Sequence, residues 1–320
     1  MRILAADNVD ESALGALRAG GFEVLACKGL VPASLPKEAA GAEVLIVRSS
    51  LVTAELLPLF PALKLIVRAG AGTDTIDMGA AAKRGIQVSN TPGKNADSVA
   101  ELALALLLAA DRKIVEATLA LRAGRWSKGV MGQGLGLKGR RLGLVGFGAV
   151  GRAMARKARG LEMDVSAWSC SLTPEAAASA GVGFAATLEG LASGSDAISV
   201  HVASLPATHN LIAAPFFELL RPGALFVNTS RGEVVDRAAF SNAVRTRGLR
   251  AGLDVFAGEP KTSEAVFADP ELAALVVCTP HLGASTEQAA LAVAEEVVRI
   301  ITAFRATGAA PNAIEPTPVP

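Results

Sequence analysis

The sequence has little of what membrane insertion, disulfide frameworks and nucleic-acid binding require. It contains three cysteines, Cys27, Cys170 and Cys278, which are scattered and show no metal-ligand spacing. The formal net charge is +1 without any long basic run, so neither a nucleic acid nor an anionic membrane is expected as a partner. The longest apolar run, 102–110, is about half of a membrane span, and Asp7 follows the N-terminus too closely for a secretory signal. These absences predict a cytoplasmic protein with free thiols and no bound metal.

Length and composition predict two ordered globular domains. The chain has 320 residues, of which 51% are hydrophobic and 19% charged, proportions that argue against disorder. Short apolar runs alternate with helical stretches, the pattern of a parallel α/β architecture. In the first hundred residues the predicted strands are 2–6, 23–26, 44–48, 65–68 and 87–89, with helices at 11–19 and 78–84. Six further strands are predicted at 141–146, 165–168, 197–201, 225–228, 251–255 and 276–278, the number in a dinucleotide-binding sheet.

Four segments outside the strands complete this organisation. Residues 90–93 interrupt the alternation and are predicted to link the two domains. Residues 98–101 have capping-box spacing, which predicts a long helix running to about Gly124. The same spacing at 285–288 predicts the start of the last helix, which returns the chain to the first domain. The tail, 311–320, is predicted to be disordered.

A glycine-rich loop follows the first strand of the second half. Gly146, Gly148 and Gly151 have the spacing Gly-x-Gly-x-x-Gly, and a helix is predicted to begin near Ala149. In this context the first glycine permits a tight turn, the second lets the backbone approach a pyrophosphate, and the third lets the helix pack on the strand. An acidic ligand for the ribose of NAD is expected about twenty residues later, but the strand there ends at Ser169, with neither a carboxylate nor an arginine. The loop predicts a dinucleotide site and leaves the choice between NAD and NADP open.

Three motifs in the second half each contain one residue suited to chemistry on a small acid: Arg231, Glu259 and His281. A guanidinium can grip a carboxylate, an imidazole can exchange the proton of a hydroxyl, and a carboxylate can fix the imidazole tautomer. Of the other histidines, His201 ends a strand where an adenine or ribose contact is expected, and His209 lies in a polar turn. Each residue alone is equally well explained as an ordinary surface or turn residue. Their combination at three strand ends favours hydride transfer on a small anionic substrate.

These motifs resemble those of the D-isomer-specific 2-hydroxyacid dehydrogenases, and among them the D-3-phosphoglycerate dehydrogenases. The resemblance extends to about residue 313 and rests on segments 47–49, 67–74, 90–92, 146–152, 228–236, 253–260 and 280–286. It implies two Rossmann-like or flavodoxin-like domains, with a dinucleotide-binding domain at 96–286 inserted into a substrate domain formed by 1–95 and 287–320. It also implies a homodimer formed through the dinucleotide-binding domains. The length of the chain suggests that the C-terminal regulatory domain common in phosphoglycerate dehydrogenases is absent.

The resemblance also implies roles for individual residues. It makes Arg231, Glu259 and His281 catalytic and assigns the nicotinamide carboxamide to Asp254. The implied cofactor-binding residues are Gly146, Gly148, Ala149, Val150, Gly151, Ser169, His201, Val202, Thr229, Ser230, Asp254, Gly283 and Ala284. The implied substrate-binding residues are Arg48, Arg68, Ala69, Gly70, Ala71 and Lys128. Two positions depart from the family pattern, since Ser169 replaces an NAD-selecting aspartate and Ala71 replaces a frequent threonine.

Three cations favour a phosphorylated substrate. A phosphate group adds about two negative charges, which need cations near the reacting end. Arg48 and Arg68 end predicted strands, and Lys128 lies in a loop where the resemblance implies a basic residue. The three cations favour D-3-phosphoglycerate as the substrate, and thus a role in serine biosynthesis. The expected cofactor is NAD, with NADP as the alternative. If these cations are unrelated, reduction of glyoxylate or hydroxypyruvate is the alternative, and a dinucleotide-binding, corepressor-like scaffold is a third.

Overall fold

The computed structural model describes residues 1–7, 9–260 and 265–314, and the chain forms two compact units. The first unit comprises Met1–Asn95 together with the residues from Ser285 onwards, and the second comprises Ala96–Ala284. Each unit is built on one parallel sheet and has its own apolar core. The predicted α/β fold class is therefore confirmed.

The first unit contains a five-stranded sheet. Its strands are β1 (Arg2–Ala6), β2 (Glu23–Cys27), β3 (Val44–Val47), β4 (Leu65–Arg68) and β5 (Gln87–Asn90). Its helices are α1 (Glu11–Ala19), α2 (Met78–Lys83) and α12 (Glu287–Thr307), with 3-10 helices at Pro32–Ser34, Lys37–Gly41 and Leu57–Leu59. The strand order β2-β1-β3-β4-β5 is flavodoxin-like and changes direction between β1 and β3. Alternate residues of β3 and β4 belong to two separate apolar clusters, so both faces of the sheet are buried.

The chain beyond α12 pairs with the edge strand β5. Ser89 and Ala313 form an antiparallel bridge, and the Ile314 N–H donates to the carbonyl of Val88 at 2.8 Å. The prediction of disorder is therefore wrong for 311–314, because backbone hydrogen bonds to a sheet edge hold this polar, proline-containing segment. The rest of the predicted tail, 315–320, lies outside the described residues.

The second unit contains a seven-stranded sheet. Its strands are β6 (Arg141–Val145), β7 (Asp164–Trp168), β8 (Gly183–Phe184), β9 (Ala197–Val200), β10 (Leu225–Asn228), β11 (Arg250–Leu253) and β12 (Val277–Cys278). Its helices are α3 (Ala96–Arg112), α4 (Ile114–Arg122), α5 (Lys128–Met131), α6 (Ala149–Gly160), α7 (Pro174–Ser179), α8 (Leu188–Gly194), α9 (Ala214–Leu219), α10 (Arg237–Arg247) and α11 (Pro270–Ala273), with 3-10 helices at Pro206–Thr208 and Gly232–Val234. The order β12-β11-β10-β9-β6-β7-β8 is that of a Rossmann sheet with one additional strand. The six predicted strands are present, and the seventh, β8, is too short to give an apolar pattern.

Two helix starts differ from the predicted capping boxes. α12 follows Thr286, whose hydroxyl accepts from the Ala289 N–H at 3.2 Å, so the cap is one residue later than predicted. α3 begins two residues before Ser98, which therefore lies inside the first turn. The Ser98 hydroxyl instead donates to the carbonyl of Gly283 at 2.6 Å. In both helices the spacing S/T-x-x-E/Q alone did not identify the cap, because tertiary contacts decide which hydroxyl is used.

The predicted long helix is interrupted at Lys113. This residue has a φ of 51°, in the left-handed region, and separates α3 from α4. Just before it, the buried Asp111 carboxylate accepts from the N–H groups of Leu135 at 3.2 Å and Gly136 at 2.9 Å. The end of α3 is thereby attached to the segment before β6, and neither glycine nor proline marks the break in the sequence. Among the described residues, no helix combines the length and apolar character needed to span a bilayer.

Candidate active site

The three predicted catalytic motifs follow three neighbouring strands of the second unit. β10 leads to Arg231, β11 to Glu259 and β12 to His281. The strands are parallel and adjacent, in the order β12-β11-β10, so their carboxyl ends meet at one edge of the sheet. The fold thus brings a guanidinium, a carboxylate and an imidazole from distant parts of the sequence to one place.

A hydrogen-bonded turn presents Arg231. Asn228 is 1% exposed, and its Oδ1 accepts from the Ser230 N–H at 2.9 Å and the Ser230 hydroxyl at 2.8 Å. Its Nδ2 donates to the carbonyl of Arg231 at 2.9 Å. The next residue, Gly232, has no room for a side chain, because a Cβ there would overlap the backbone of Phe256. The turn therefore lies directly against the loop that follows β11, and Asn228 is a supporting residue that the sequence analysis missed.

Glu259 and His281 form a hydrogen-bonded pair. His281 Nδ1 lies 2.6 Å from Glu259 Oε2, and Glu259 Oε1 accepts from the Phe256 N–H at 2.8 Å. Because an ionised carboxylate can only accept, Nδ1 carries the proton that the two residues share. Nε2 is then the ring nitrogen left to exchange a proton with a substrate.

The charges at this edge adjust the two pKa values in opposite directions. The hydrogen bond to Glu259 is the largest influence on His281 and raises its pKa, against burial and the charge of Arg231. For Glu259, burial acts to raise the pKa, but the hydrogen bond to His281, its charge and that of Arg231 outweigh this and lower it. The carboxylate therefore stays ionised while the imidazole titrates. Arg231 influences both groups, so all three lie within electrostatic range.

Asp254 fixes the loop that carries His281. This residue is 1% exposed, and its carboxylate accepts from the Thr279 hydroxyl at 2.6 Å and the N–H groups of Leu282 at 2.7 Å and Gly283 at 2.8 Å. Its carbonyl accepts from the His281 N–H at 2.8 Å. Burial raises the pKa of Asp254, although these hydrogen bonds oppose the increase. Besides the carboxamide contact that the resemblance implies, Asp254 thus has a structural task that the sequence did not reveal.

The glycine loop is open where a pyrophosphate would bind. Gly146 has a φ of 99°, and a Cβ there would lie 2.6 Å from the carbonyl oxygen of His201 and 2.9 Å from Val202. A Cβ on Gly151 would overlap the carbonyl oxygen of Gly146. Gly148 precedes α6 without a side-chain cap and has no atom within 4 Å of a Cβ position. The first N–H groups of α6 thus have no side-chain cap, and the space beside Gly148 is open, an arrangement that fits a dinucleotide phosphate.

Two buried polar atoms near this loop have no hydrogen-bond partner among the described residues. They are His201 Nδ1, directly after β9, and Thr229 Oγ1, directly after the adjacent β10. His201 Nε2 lies 2.9 Å from Ser199 Oγ, and burial lowers the pKa of His201 to about 4, so its ring is neutral at pH 7. Unsatisfied buried polar atoms of this kind suit the hydroxyl or amide groups of a ligand. These residues fit a bound dinucleotide.

The remaining implied cofactor residues lie around the same sheet. Ala149 and Val150 open α6, Ser230 lies in the Arg231 turn, and Ala284 follows the His281 loop. Ser169 directly follows β7 and is half-buried. A hydroxyl at this position can hydrogen-bond a ribose without repelling a 2′-phosphate, so both cofactors remain compatible with it.

In the first unit, Arg68 and Gly70 form a close turn at the end of β4. Arg68 Nη1 donates to the carbonyl of Ala69 at 3.2 Å, and its guanidinium occupies the space that a Cβ on Gly70 would fill. Asn90 Nδ2 donates to the carbonyl of Ala71 at 2.6 Å. The implied carboxylate-binding backbone, 69–71, is therefore attached to the ends of two strands.

Arg48 begins a loop that Asp7 organises. Asp7 Oδ2 accepts from the N–H groups of Arg48 at 2.8 Å, Ser49 at 2.8 Å and Ser50 at 2.9 Å. Burial acts to raise the pKa of Asp7, but these bonds and the Ser50 hydroxyl outweigh it and lower the pKa. Asp7 was not predicted as a site residue, although its position directly after β1 could have indicated one.

Lys128 belongs to the second unit, whereas Arg48 and Arg68 belong to the first. Lys128 is exposed at the start of α5.

A Rossmann-type sheet with a glycine cradle and a histidine–carboxylate pair at its carboxyl edge defines a dinucleotide-dependent oxidoreductase. The model of the family "D-isomer specific 2-hydroxyacid dehydrogenase, NAD binding domain" matches residues 104–283, more than half of the chain. The chain therefore belongs to the D-isomer-specific 2-hydroxyacid dehydrogenase family, which confirms the resemblance found in its motifs. It is an NAD(P)-dependent D-2-hydroxyacid dehydrogenase.

The curated relatives differ in substrate. A glyoxylate reductase from Thermococcus litoralis is 41% identical over 270 residues, which cover 82% of this chain and 80% of that protein. A D-3-phosphoglycerate dehydrogenase from Archaeoglobus fulgidus is 38% identical over 308 residues, covering 94% of this chain and 57% of that protein. The chain thus spans little more than half the length of this phosphoglycerate dehydrogenase. Family membership alone leaves the substrate unresolved.

Solved structures show the same fold with either cofactor. The NADPH-dependent glyoxylate/hydroxypyruvate reductase of Sinorhizobium meliloti, in complex with NADP and malonate, matches with a TM-score of 0.79 and 29% identity, covering 98% of this chain and 96% of that one. The NAD+-bound 3-phosphoglycerate dehydrogenase of Entamoeba histolytica also has a TM-score of 0.79, with 26% identity and 99% coverage of both chains.

Proposed function

We propose that this protein interconverts a D-2-hydroxy acid and its 2-oxo acid, with His281 exchanging the proton, Glu259 supporting His281, and Arg231 binding the substrate. The observation that carries this proposal is the 2.6 Å contact between His281 Nδ1 and Glu259 Oε2. It leaves Nε2 free to act at the sheet edge where Arg231 also lies.

The three residues act on two groups of the substrate, the oxygen on its second carbon and its carboxylate. In oxidation, His281 Nε2 takes the hydroxyl proton, and the imidazolium that forms is stabilised by the Glu259 carboxylate. The glycine loop, His201 and Thr229 would hold NAD, which would supply the hydride acceptor for the carbon that bears this hydroxyl. The planar fork of Arg231 binds the substrate carboxylate and polarises the oxygen of the 2-oxo acid. In reduction, protonated His281 returns the proton to that oxygen.

We further propose that the substrate is D-3-phosphoglycerate. Arg48 and Arg68 support this choice. Arg48 directly follows β3 and Arg68 ends the neighbouring β4, with Val47 paired to Arg68, so both lie at the same edge of the first sheet. Asp7 holds the backbone of Arg48, and Gly70 leaves room for the Arg68 guanidinium. Two arginines at one edge suit a substrate phosphate, because a planar guanidinium can donate two parallel hydrogen bonds to phosphate oxygens.

Kinetics with phosphorylated and unphosphorylated substrates test this choice. Arg48→Ala and Arg68→Ala should each raise the KM for 3-phosphohydroxypyruvate roughly ten- to hundredfold, since a charge-assisted hydrogen bond contributes about 1.5–3 kcal/mol. Their turnover of glyoxylate, which has no phosphate, should stay near that of wild type. Arg18→Ala, in the last turn of α1, is a control that removes an arginine of the same unit from another place. If both substrates are affected equally, Arg48 and Arg68 do not bind the substrate phosphate.

Glyoxylate or hydroxypyruvate reduction is the second candidate. The T. litoralis glyoxylate reductase aligns over 80% of its own length, a larger share than the A. fulgidus phosphoglycerate dehydrogenase does. If the wild type prefers glyoxylate or hydroxypyruvate to 3-phosphohydroxypyruvate, this candidate replaces the first. A corepressor-like scaffold would be favoured only if none of these acids is turned over with either cofactor.

Exposed apolar side chains support association of two copies through the second unit. Leu119 and Leu121 are each 56% exposed, Val130 is 61% exposed and Trp126 is 81% exposed. All four lie within residues 119–130, and exposed apolar side chains that form a patch are typical of protein–protein contacts. Analytical ultracentrifugation should give a dimer for the wild type and a larger monomer fraction for Trp126→Glu. A monomeric wild type would reject the homodimer.

A further inference from the structure

The backbone of the His281 loop is strained. His281 has a φ of 54°, in the left-handed region that residues with a side chain seldom occupy. Such a conformation persists only where surrounding groups hold it. The groups that hold this loop therefore determine whether the imidazole is presented to Glu259.

One side of the loop is held by the sheet. Asp254, directly after β11, binds the loop through its carboxylate and its carbonyl. A Cβ on Gly283 would lie 3.1 Å from Asp254 Oδ2 and 3.3 Å from a methyl group of Val99. Gly283 is therefore confined between the end of β11 and the first turn of α3.

The other side of the loop is held by α3. The Ser98 hydroxyl donates to the carbonyl of Gly283 at 2.6 Å, and Ser98 is 7% exposed. The helix itself packs against α6, β10 and β11, so the hydroxyl is attached to a fixed element. A bond from a fixed helix to the end of a strained loop restricts how far that loop can relax.

The hydrogen bond of Ser98 leaves its own helix. Hydroxyls further along a helix can bond to the carbonyl one turn earlier, as those of Thr118, Thr246 and Thr307 do. Ser98 lies in the first turn of α3, so the carbonyl four residues before it, that of Lys94, lies outside the helix. Ser98 is buried and bonds instead to the carbonyl of Gly283 in the His281 loop.

We infer that Ser98 is a positioning residue for proton transfer: its bond to Gly283 keeps the His281 loop in the conformation that pairs the imidazole with Glu259. The inference rests on the proposed role of His281. Without the Ser98 hydroxyl, the buried carbonyl of Gly283 loses its donor, and the loop can relax from its left-handed conformation. The imidazole would then spend less time paired with Glu259.

The test compares Ser98→Ala with a matched control and a rescue. Ser195→Ala is the control, because Ser195 is 3% exposed and its hydroxyl donates to the carbonyl of Leu191 at 2.7 Å, before the amino end of β9. Ser98→Thr keeps a hydroxyl and serves as the rescue. The measurements are kcat and KM for NADH and the 2-oxo acid, and an NMR titration of the His281 ring, assigned with His281→Asn.

We expect Ser98→Ala to lower kcat about two- to tenfold, the effect of one net hydrogen bond, with the KM for NADH changed less than twofold. The titration midpoint of His281 should move down towards its ordinary value, because the pairing with Glu259 weakens. Ser98→Thr should restore most of both quantities, and Ser195→Ala should alter neither. If Ser98→Ala does not fold, Ser98→Cys, similar in size but a weak donor, should show the same decreases.

Two results would overturn the inference. One is a folded Ser98→Ala with the kcat and the His281 midpoint of wild type. The other is an equal change in Ser195→Ala, which would mean a general loss of stability. If the wild type turns over no 2-hydroxy or 2-oxo acid, the proposed function fails. The role of Ser98 is then still decided by comparing the titration midpoint of His281 in the wild type and in Ser98→Ala.

Discussion

Replacing Glu259 with glutamine tests the histidine–carboxylate pair most directly. The change keeps the size of the side chain but removes the charge that lies 2.6 Å from the imidazole. A charge-assisted hydrogen bond contributes about 1.5–3 kcal/mol, which must be reduced here because the His281 side chain is 45% exposed and water screens the pair. A loss of about 1–2 kcal/mol is expected, which corresponds to roughly five- to thirtyfold in kcat.

The same substitution should shift the pH dependence in a defined direction. Glu259 raises the pKa of His281, so its removal lowers that pKa. Oxidation needs the neutral imidazole and fails as pH falls through this pKa, whereas reduction needs the imidazolium and fails as pH rises through it. In Glu259→Gln the acid limb of oxidation and the alkaline limb of reduction should therefore both move to lower pH.

The measurement is the initial rate as a function of pH, taken for reduction of the 2-oxo acid and for oxidation of the 2-hydroxy acid. Glu218→Gln, an exposed change on α9, is the control and should leave both limbs in place. Limbs that stay at the wild-type pH in Glu259→Gln would refute the assignment of the pair, even if kcat falls.

Three further substitutions test other parts of the site. Arg231→Lys should lower kcat/KM roughly 10²-fold for every substrate, because an ammonium cannot span carboxylate and carbonyl oxygens; loss for one substrate alone would make Arg231 a specificity residue. Ser169→Asp should raise the KM for NADPH about tenfold or more by charge repulsion and leave the KM for NADH nearly unchanged. Equal changes in the two KM values would place Ser169 away from the ribose. Gly232→Ala should lower the free energy of unfolding by about 1–3 kcal/mol and reduce kcat, because its Cβ meets the Phe256 backbone; an unchanged denaturation midpoint would show that the two loops separate freely.

The strands and the helices α1 and α2 were predicted closely, whereas the ends of the long helices α3 and α12 were not. β4 spans the predicted residues 65–68, because a buried parallel strand is a short run of Val, Ile and Leu bounded by polar residues. Ser98 was predicted as a helix cap from its spacing to Glu101, yet its hydroxyl bonds to Gly283. The break at Lys113 had no local signal either, since it depends on where Asp111 finds its partners.

Local sequence patterns were enough to predict the parallel α/β class, the glycine cradle and the identity of the three candidate catalytic groups. Each of these features is local, because a strand, the loop after it and the polar residue in that loop are read from consecutive residues. Three further features became visible only in the folded chain: β10, β11 and β12 are neighbours, His281 pairs with Glu259, and Asp254 and Ser98 hold the His281 loop from two sides. Those contacts join residues far apart in the chain, so they depend on sheet order and helix placement, which no single stretch of sequence specifies.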